Sequence, residues 1–297
     1  MSASLPEAGK ARLERSCKAS DWMRVGTGSE GIERIEAFFR GYAYDPHRHD
    51  TYAFGLTLSG VQCFDYRGAR RDSLSGHAIV LHPDEVHNGR SGIPEGFRYR
   101  MLYVEPRLIA QALGERARSL PFVSAAVSQD RRLVSAVAGA LRNLDAPLDD
   151  LAAEDALLPL ADALLALDSS AARRSGRFLD RVATERARRH LDANLDLAVG
   201  SQELEVVTGL DRFTLARQFR ACFGTSPYNY LVMRRLQRAR LLLWEGVSLA
   251  EAAFACGFAD QSHLTRQFRR AFGVTPGRWR ALVRGSTSTC PASPHGA

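Results

Sequence analysis

Between Ile32 and Val104 the apolar residues come in short alternating or continuous runs, IERIEAFF, TYAFGLTL, VQCFDY, HAIVLH and FRYRMLYV, broken by Gly, Pro and Asp. Runs of that length and period mark strands, and the breaks mark turns, so this region is expected to be all-β. After Pro106 the period lengthens. DRRLVSAVAGALRNL and DDLAAEDALLPLADALLAL carry Ala and Leu at helical spacing, which predicts two or three helices packed on the β-unit. The stretch SSAARRSG, Ser169 to Gly176, is small and polar without an apolar face and reads as a linker. From Arg177 to about Arg284 the pattern is helical throughout, and GSTSTCPASPHGA reads as a disordered tail. The expected organisation is therefore an α+β chain of two domains: residues 1–168, a linker at 169–176, an all-α domain at 177–284 and a tail at 285–297.

The helical region repeats a phrase. LARQFRACFGTSP at Leu215 to Pro227 returns as LTRQFRRAFGVTP at Leu264 to Pro276, 49 residues later. On a helix beginning near Asp260, Leu264, Phe268, Ala271 and Phe272 share one buried stripe, leaving Gln261, Ser262, Thr265, Arg266 and Arg269 on the other face. In the earlier copy Leu215, Phe219, Cys222 and Phe223 form the stripe, and Arg212, Phe213, Ala216, Arg217 and Arg220 lie outward or at its margin. Gly224 and Gly273 suit left-handed helix ends, while Ser226-Pro227 and Thr275-Pro276 suit the cap and first turn of the next helix. Upstream of each copy lies a short helical piece and a glycine turn, QELEVVTGLDRF and LAEAAFACGFADQS. Helix, tight turn and polar second helix make a helix-turn-helix, whose second helix enters the DNA major groove. YNYLVMRRLQRARLLLWEG between the copies forms a connecting helix long enough, at roughly 26 Å, to hold two reading heads near successive groove faces.

Charge agrees with that reading. The formal net charge is +7, and Arg177 to Arg284 holds 18 arginines and no lysine against 10 carboxylates, so all the excess sits in the repeat-bearing third. A basic domain beside a near-neutral one points to a polyanion partner. Cys17, Cys63, Cys222, Cys256 and Cys290 are scattered without CxxC spacing, which favours neither a zinc cluster nor a disulfide framework. No apolar run reaches membrane-spanning length and the start lacks a secretory h-region, so a cytoplasmic protein without a membrane partner is expected.

The C-terminal hundred residues resemble the DNA-binding domain of AraC/XylS-type transcriptional regulators, on Gly257-Phe258, SHLTRQFRRAFGVTPGRWR and RRLQRARLLL. The resemblance implies two helix-turn-helix motifs joined by a long helix, and promoter DNA and RNA polymerase as partners. It implies base-facing positions at Arg212, Phe213, Ala216 and Arg217 in the first reading helix and at Gln261, Ser262, His263, Thr265 and Arg266 in the second. Arginine suits guanine O6/N7 and glutamine suits adenine N6/N7. Arg220, Arg269 and Arg270 are expected to make phosphate or structural contacts. Glu205 stands where the family places a small alanine, which Ala253 supplies in the second motif; an acid at that packing site is costly unless paired.

PHRHDTYAFGLTLSG, GHAIVLHPDEVHNGR and FRYRMLYVEP resemble the cupin-type sensor domain found in front of many such regulators, a small β-barrel with following helices that binds an effector and forms a homodimer. His47, His49, His87 and Tyr52 are the expected effector-binding residues, while His82 and Glu85 either line the same mouth or face solvent. His-x-His followed by a later His is also how metal-binding cupins present imidazoles. The acidic ligand such cupins carry is replaced here around Ala53, Phe54 and Gly55, so no metal and no cofactor is expected. Two readings follow: a non-enzymatic, effector-controlled regulator, or a metal-dependent cupin enzyme fused to a DNA-binding segment.

Overall fold

The computed structural model describes residues 21–117, 119–168 and 179–287. Its N-terminal half is built on the strands β1 (Trp22–Val25), β2 (Ile32–Phe39), β3 (Tyr42–His47), β4 (Tyr52–Tyr66), β5 (Ala69–Leu74), β6 (Ala78–Leu81), β7 (His87–Ser91), β8 (Phe97–Val104) and β9 (Val127–Ser128). The expected runs TYAFGLTL and VQCFDY are one strand, β4, which is fifteen residues long. Its first half pairs with β8 and β6, and its second half with β5 and β7. The β8 pairing runs through an irregularity between Thr57 and Ser59 as far as Gly60, at φ 74°, and the β5 pairing begins at Val61. A Cβ at Gly60 would lie 2.0 Å from Gly96 O, so both the backbone angle and the space require glycine.

A closed barrel was expected, and the sheet differs. Its main path runs β1-β2-β8-β4-β6-β9, with β3, β5 and β7 branching from the far half of β4, and the described ends do not pair. The β1 edge is covered instead by a C-terminal helix, α10 (Pro276–Thr287). Covering an edge with a helix removes the same unpaired backbone that closure would.

Three helices follow the strands: α1 (Pro106–Leu113), α2 (Arg131–Ala140) and α3 (Asp150–Leu167). They bury Ile109, Leu133, Val137, Leu160 and Leu164 against Tyr52, Phe54, Val80 and Leu102 on one sheet face. The linker expected at 169–176 lies outside the described residues, as does the tail beyond 287. α10 continues to Thr287, past the boundary expected at 284.

The C-terminal domain is α4 (Arg181–Ala193), α5 (Ser201–Thr208), α6 (Arg212–Phe223), α7 (Pro227–Trp244), α8 (Leu249–Ala255), α9 (Gln261–Phe272) and α10. The first module, α4 to α6, has its own core of Ala187, Leu191, Leu204, Leu215, Phe219 and Phe223. The core of the second, with Leu236, Ala253, Leu264, Phe268 and Trp279, is continuous with the second face of the sheet through Ile35, Ala37, Tyr99 and Met101. The second reading module is thus built into the sensor's interior, and the first is attached to it.

Candidate DNA interface and effector cleft

Both reading helices start and stop by the same devices. Asp211 accepts from Phe213 N and Thr214 N at the head of α6, and Asp260 from His263 N at the head of α9. Gly224 and Gly273 end them in the left-handed conformation, at φ 74° and 69°. Ser226 caps α7, and Thr275 accepts from Arg278 N at the start of α10. These caps fix helix ends in register with the buried stripes Leu215-Phe219-Phe223 and Leu264-Phe268-Ala271.

The stripes decide what is left outside. Arg212, Phe213 and Arg217 are exposed on α6, with Phe213 at 63% although it is a large apolar ring; Ala216 is half-buried. The Arg212 guanidinium lies 5.0 Å over that ring, and Arg217 Nη2 donates to Thr214 Oγ1 at 2.9 Å. On α9 Gln261, Ser262, Arg266 and Arg269 are exposed and Thr265 is half-buried. His263 is half-buried: its ring packs edge-on against Phe258, centroids 5.4 Å apart, and its Nδ1 accepts from Ala259 N in the turn within the module.

Glu205 resolves the one local conflict in the sequence. Its carboxylate accepts from Arg212 N at 2.7 Å, so the acid at the packing site is paired and satisfies a free amide in the first turn of α6. Arg235 does comparable work between the modules. From α7 it donates to Leu195 O and Leu197 O in the first module and to Gly257 O in the turn of the second, at 2.6, 2.7 and 3.0 Å.

In the sensor domain the β3–β7 register sets His47 opposite His87, and the loop before β4 adds His49. The ring centroids stand 4.2 Å (His47 to His87) and 4.9 Å (His49 to His87) apart. Each Nδ1 donates to a backbone carbonyl two residues away: Asp45 O, Thr51 O and Glu85 O, at 2.8, 3.0 and 3.0 Å. Burial, then the neighbouring imidazole, pushes all three down to about 3, so they are neutral. His49 Nε2 is buried and without a hydrogen-bond partner. Among the described residues no group of three His, Cys, Asp or Glu side chains is arranged to hold a metal ion. Tyr52 does not join the histidines. It lies on the helix-covered face of β4, and its hydroxyl donates to Pro121 O at 2.7 Å. His82 is on that side as well, with its Nδ1 2.9 Å from the Tyr66 hydroxyl and its Nε2 accepting from Val123 N.

The space beside the histidines inside the β-unit is about 20 Å³, room for about one water. A much larger space lies between the domains: a cleft of about 640 Å³, lined by Arg24, Ile32, Glu33 and Tyr103 from the sensor and Arg240, Leu241, Trp244 and Trp279 from the helical domain. Arg240 makes a two-pronged pair with Glu33 at 2.7 and 2.9 Å, its guanidinium about 5 Å from the Phe272 and Trp279 rings. Deeper in the interface Arg234 reaches Asp50 at 2.8 Å and also contacts Glu105. Sequence reasoning missed these cross-domain pairs. A signal existed, because Arg240 falls four residues after Leu236 and three before Leu243, on the buried stripe of α7, where an arginine needs a partner.

Comparison with known proteins matches this arrangement domain by domain. A model of the AraC-like ligand binding domain matches residues 30–161, and one of a helix-turn-helix domain matches residues 206–282. An uncharacterised HTH-type transcriptional regulator of Bacillus subtilis, YbfI, is 27% identical over 77% of this chain and 86% of its own. The HTH-type transcriptional activator RhaS of Pectobacterium atrosepticum is 28% identical over 79% of this chain and 86% of its own. Among solved structures, ToxT from Vibrio cholerae with bound unsaturated fatty acid shares the fold at TM-score 0.60 and 13% identity, covering 90% of this chain and 97% of that one. A ligand-binding β domain, a duplicated helix-turn-helix on a connecting helix, and two regulators alike along most of their length make this chain a member of the AraC-type family of transcriptional regulators.

Proposed function

We propose that this regulator reads promoter DNA with both helix-turn-helix modules at once, under the control of a small molecule that enters the cleft between the domains. The observation that carries the reading is the pair of matched helices, α6 and α9, each with its apolar stripe buried and the polar side chains of its N-terminal half exposed. Arg212, Phe213, Ala216 and Arg217 face one groove, and Gln261, Ser262, Thr265 and Arg266 the next. His263 supports the second helix from behind. α7, at 18 residues, gives a spacer of roughly 27 Å between them.

For the effector, the volumes favour the cleft over the β-unit interior. His47 and His49 border a smaller space of about 70 Å³ that shares Glu33, Tyr103, Gln237, Arg240 and Trp279 with the cleft, so they serve as its inner wall. A ligand with an apolar body and a polar head suits tryptophan walls beside an Arg240–Glu33 pair. ToxT with its unsaturated fatty acid is a precedent for that chemistry. Leu151 and Leu158, exposed seven residues apart on α3, supply an apolar stripe for a homodimer, which makes the second half-site effectively intramolecular. No helix among the described residues is long and apolar enough to cross a membrane. The reading places the protein in the cytoplasm beside RNA polymerase and assigns it no catalytic activity.

Selection of duplexes from a random pool by the full chain tests this. The expected product is a two-part site with its halves about 10 base pairs apart, whose retention changes when amphipathic carboxylates are added. Failure to enrich any duplex sequence removes the proposal.

A further inference from the structure

The sensor domain grips the two reading helices at equivalent residues. Aligning the repeats sets Leu215 on Leu264 and Phe219 on Phe268, and therefore Arg220 on Arg269 and Gly224 on Gly273. Arg269 donates through Nε to Asp45 Oδ2 at 2.8 Å, and its Nη2 is equally near. Arg220 Nη2 stands 3.5 Å from Asp84 Oδ2. Asp84 also faces Arg48 at 3.6 Å and accepts from Asn229 Nδ2 at 3.2 Å. The glycine caps are held in the same way: a Cβ on Gly224 would fall 2.5 Å from Pro83 Cβ, and one on Gly273 2.8 Å from His47 Nδ1. Asp45 N donates to Gly273 O and Arg48 N to Arg270 O, both at 3.0 Å. Strand β3 and the turn at Pro83-Asp84 thus take the equivalent arginine and press on the equivalent glycine in the two copies of the repeat.

Arg220 and Arg269 lie three residues beyond Arg217 and Arg266, on the same helix faces as the exposed reading side chains. An arginine there, beside an inserted helix, meets the DNA backbone. To a guanidinium a carboxylate presents the same anionic oxygens as a phosphate. We propose that Asp45 and Asp84 are intramolecular phosphate mimics: in the closed arrangement they occupy the backbone-binding arginines of both modules, and DNA binding requires the sensor to let them go. The inference rests on α6 and α9 being the DNA-reading helices. Both arginines remain more than half exposed, so each pair is weak and the grip is reversible.

The test uses the full chain carrying D45N and D84N together. Asparagine keeps the size of both side chains, and at position 84, where φ is 63°, it tolerates the left-handed backbone as aspartate does. Without effector, affinity for the enriched duplex and for a random duplex is expected to tighten alike, by about three- to tenfold. The slope of log affinity against log salt should stay nearly the same, because both complexes engage the same phosphates once the arginines are free. Adding R220Q and R269Q should abolish the gain. Unchanged or weaker binding by the D45N/D84N protein overturns the proposal while leaving the DNA-binding reading intact. Absence of duplex binding by the wild-type chain overturns both.

Discussion

His47, His49 and His87 are three neutral bases packed ring to ring, and their cost is a matter of pH. Unfolded histidine titrates near 6.5, whereas these are held down to about 3. Between those values the unfolded chain binds protons that the folded one refuses. The cluster's contribution is therefore complete above about pH 7 and is lost as pH falls from about 6.5 toward 3. Unfolding at pH 5 should take up about one proton per histidine from this cluster, measurable from the pH dependence of the urea midpoint. Replacement of His87 by glutamine should reduce that uptake by about one; an unchanged pH dependence would show that the cluster is already protonated in the native state. That the three histidines meet was legible in the His-x-His pattern and the later His87. That Tyr52 turns away was legible only in strand parity, since it is out of phase with Ala53 on the interior face. That His263 packs on Phe258 eludes the sequence, because a histidine at the start of a helix carries no mark of such a contact.

Elements were legible where their period was strong. IERIEAFF and FRYRMLYV are strands at the expected residues, because both alternate and both pair along their length. YAYDPH, ARRDSL and HNGRS carry too few apolar residues to alternate, and their strand state comes from pairing with β4 and β7. The reading helices were fully legible because caps, stripe and repeat agree at every level. On α9 this gives a direct expectation. Arg266→Ala should weaken binding to the enriched duplex by about 1 to 3 kcal/mol and leave binding to random DNA nearly unchanged, read by competition titration. Equal loss on both duplexes would move Arg266 from base reading to backbone contact.

Across the whole molecule, the outcome the sequence concealed is how the domains join. The repeat and the charge excess predicted a separate basic domain, yet the second module shares one continuous core with the sheet, and α10 covers the β1 edge. Long-range partnerships such as Arg234 with Asp50, or Arg240 with Glu33, leave only a local trace, an arginine on an apolar stripe. The cleft exists because those pairs hold the two surfaces together at points and leave the space between tryptophans open. Arg235 and α7 link the two modules, and the proposed function requires one duplex to meet both. Guanine N7 methylation protection on the enriched duplex tests that requirement most directly. Two protected major-groove patches on one face, about one helical turn apart, with Arg212→Ala removing one and Arg266→Ala the other, is the expected result; a single patch lost with either substitution would contradict it.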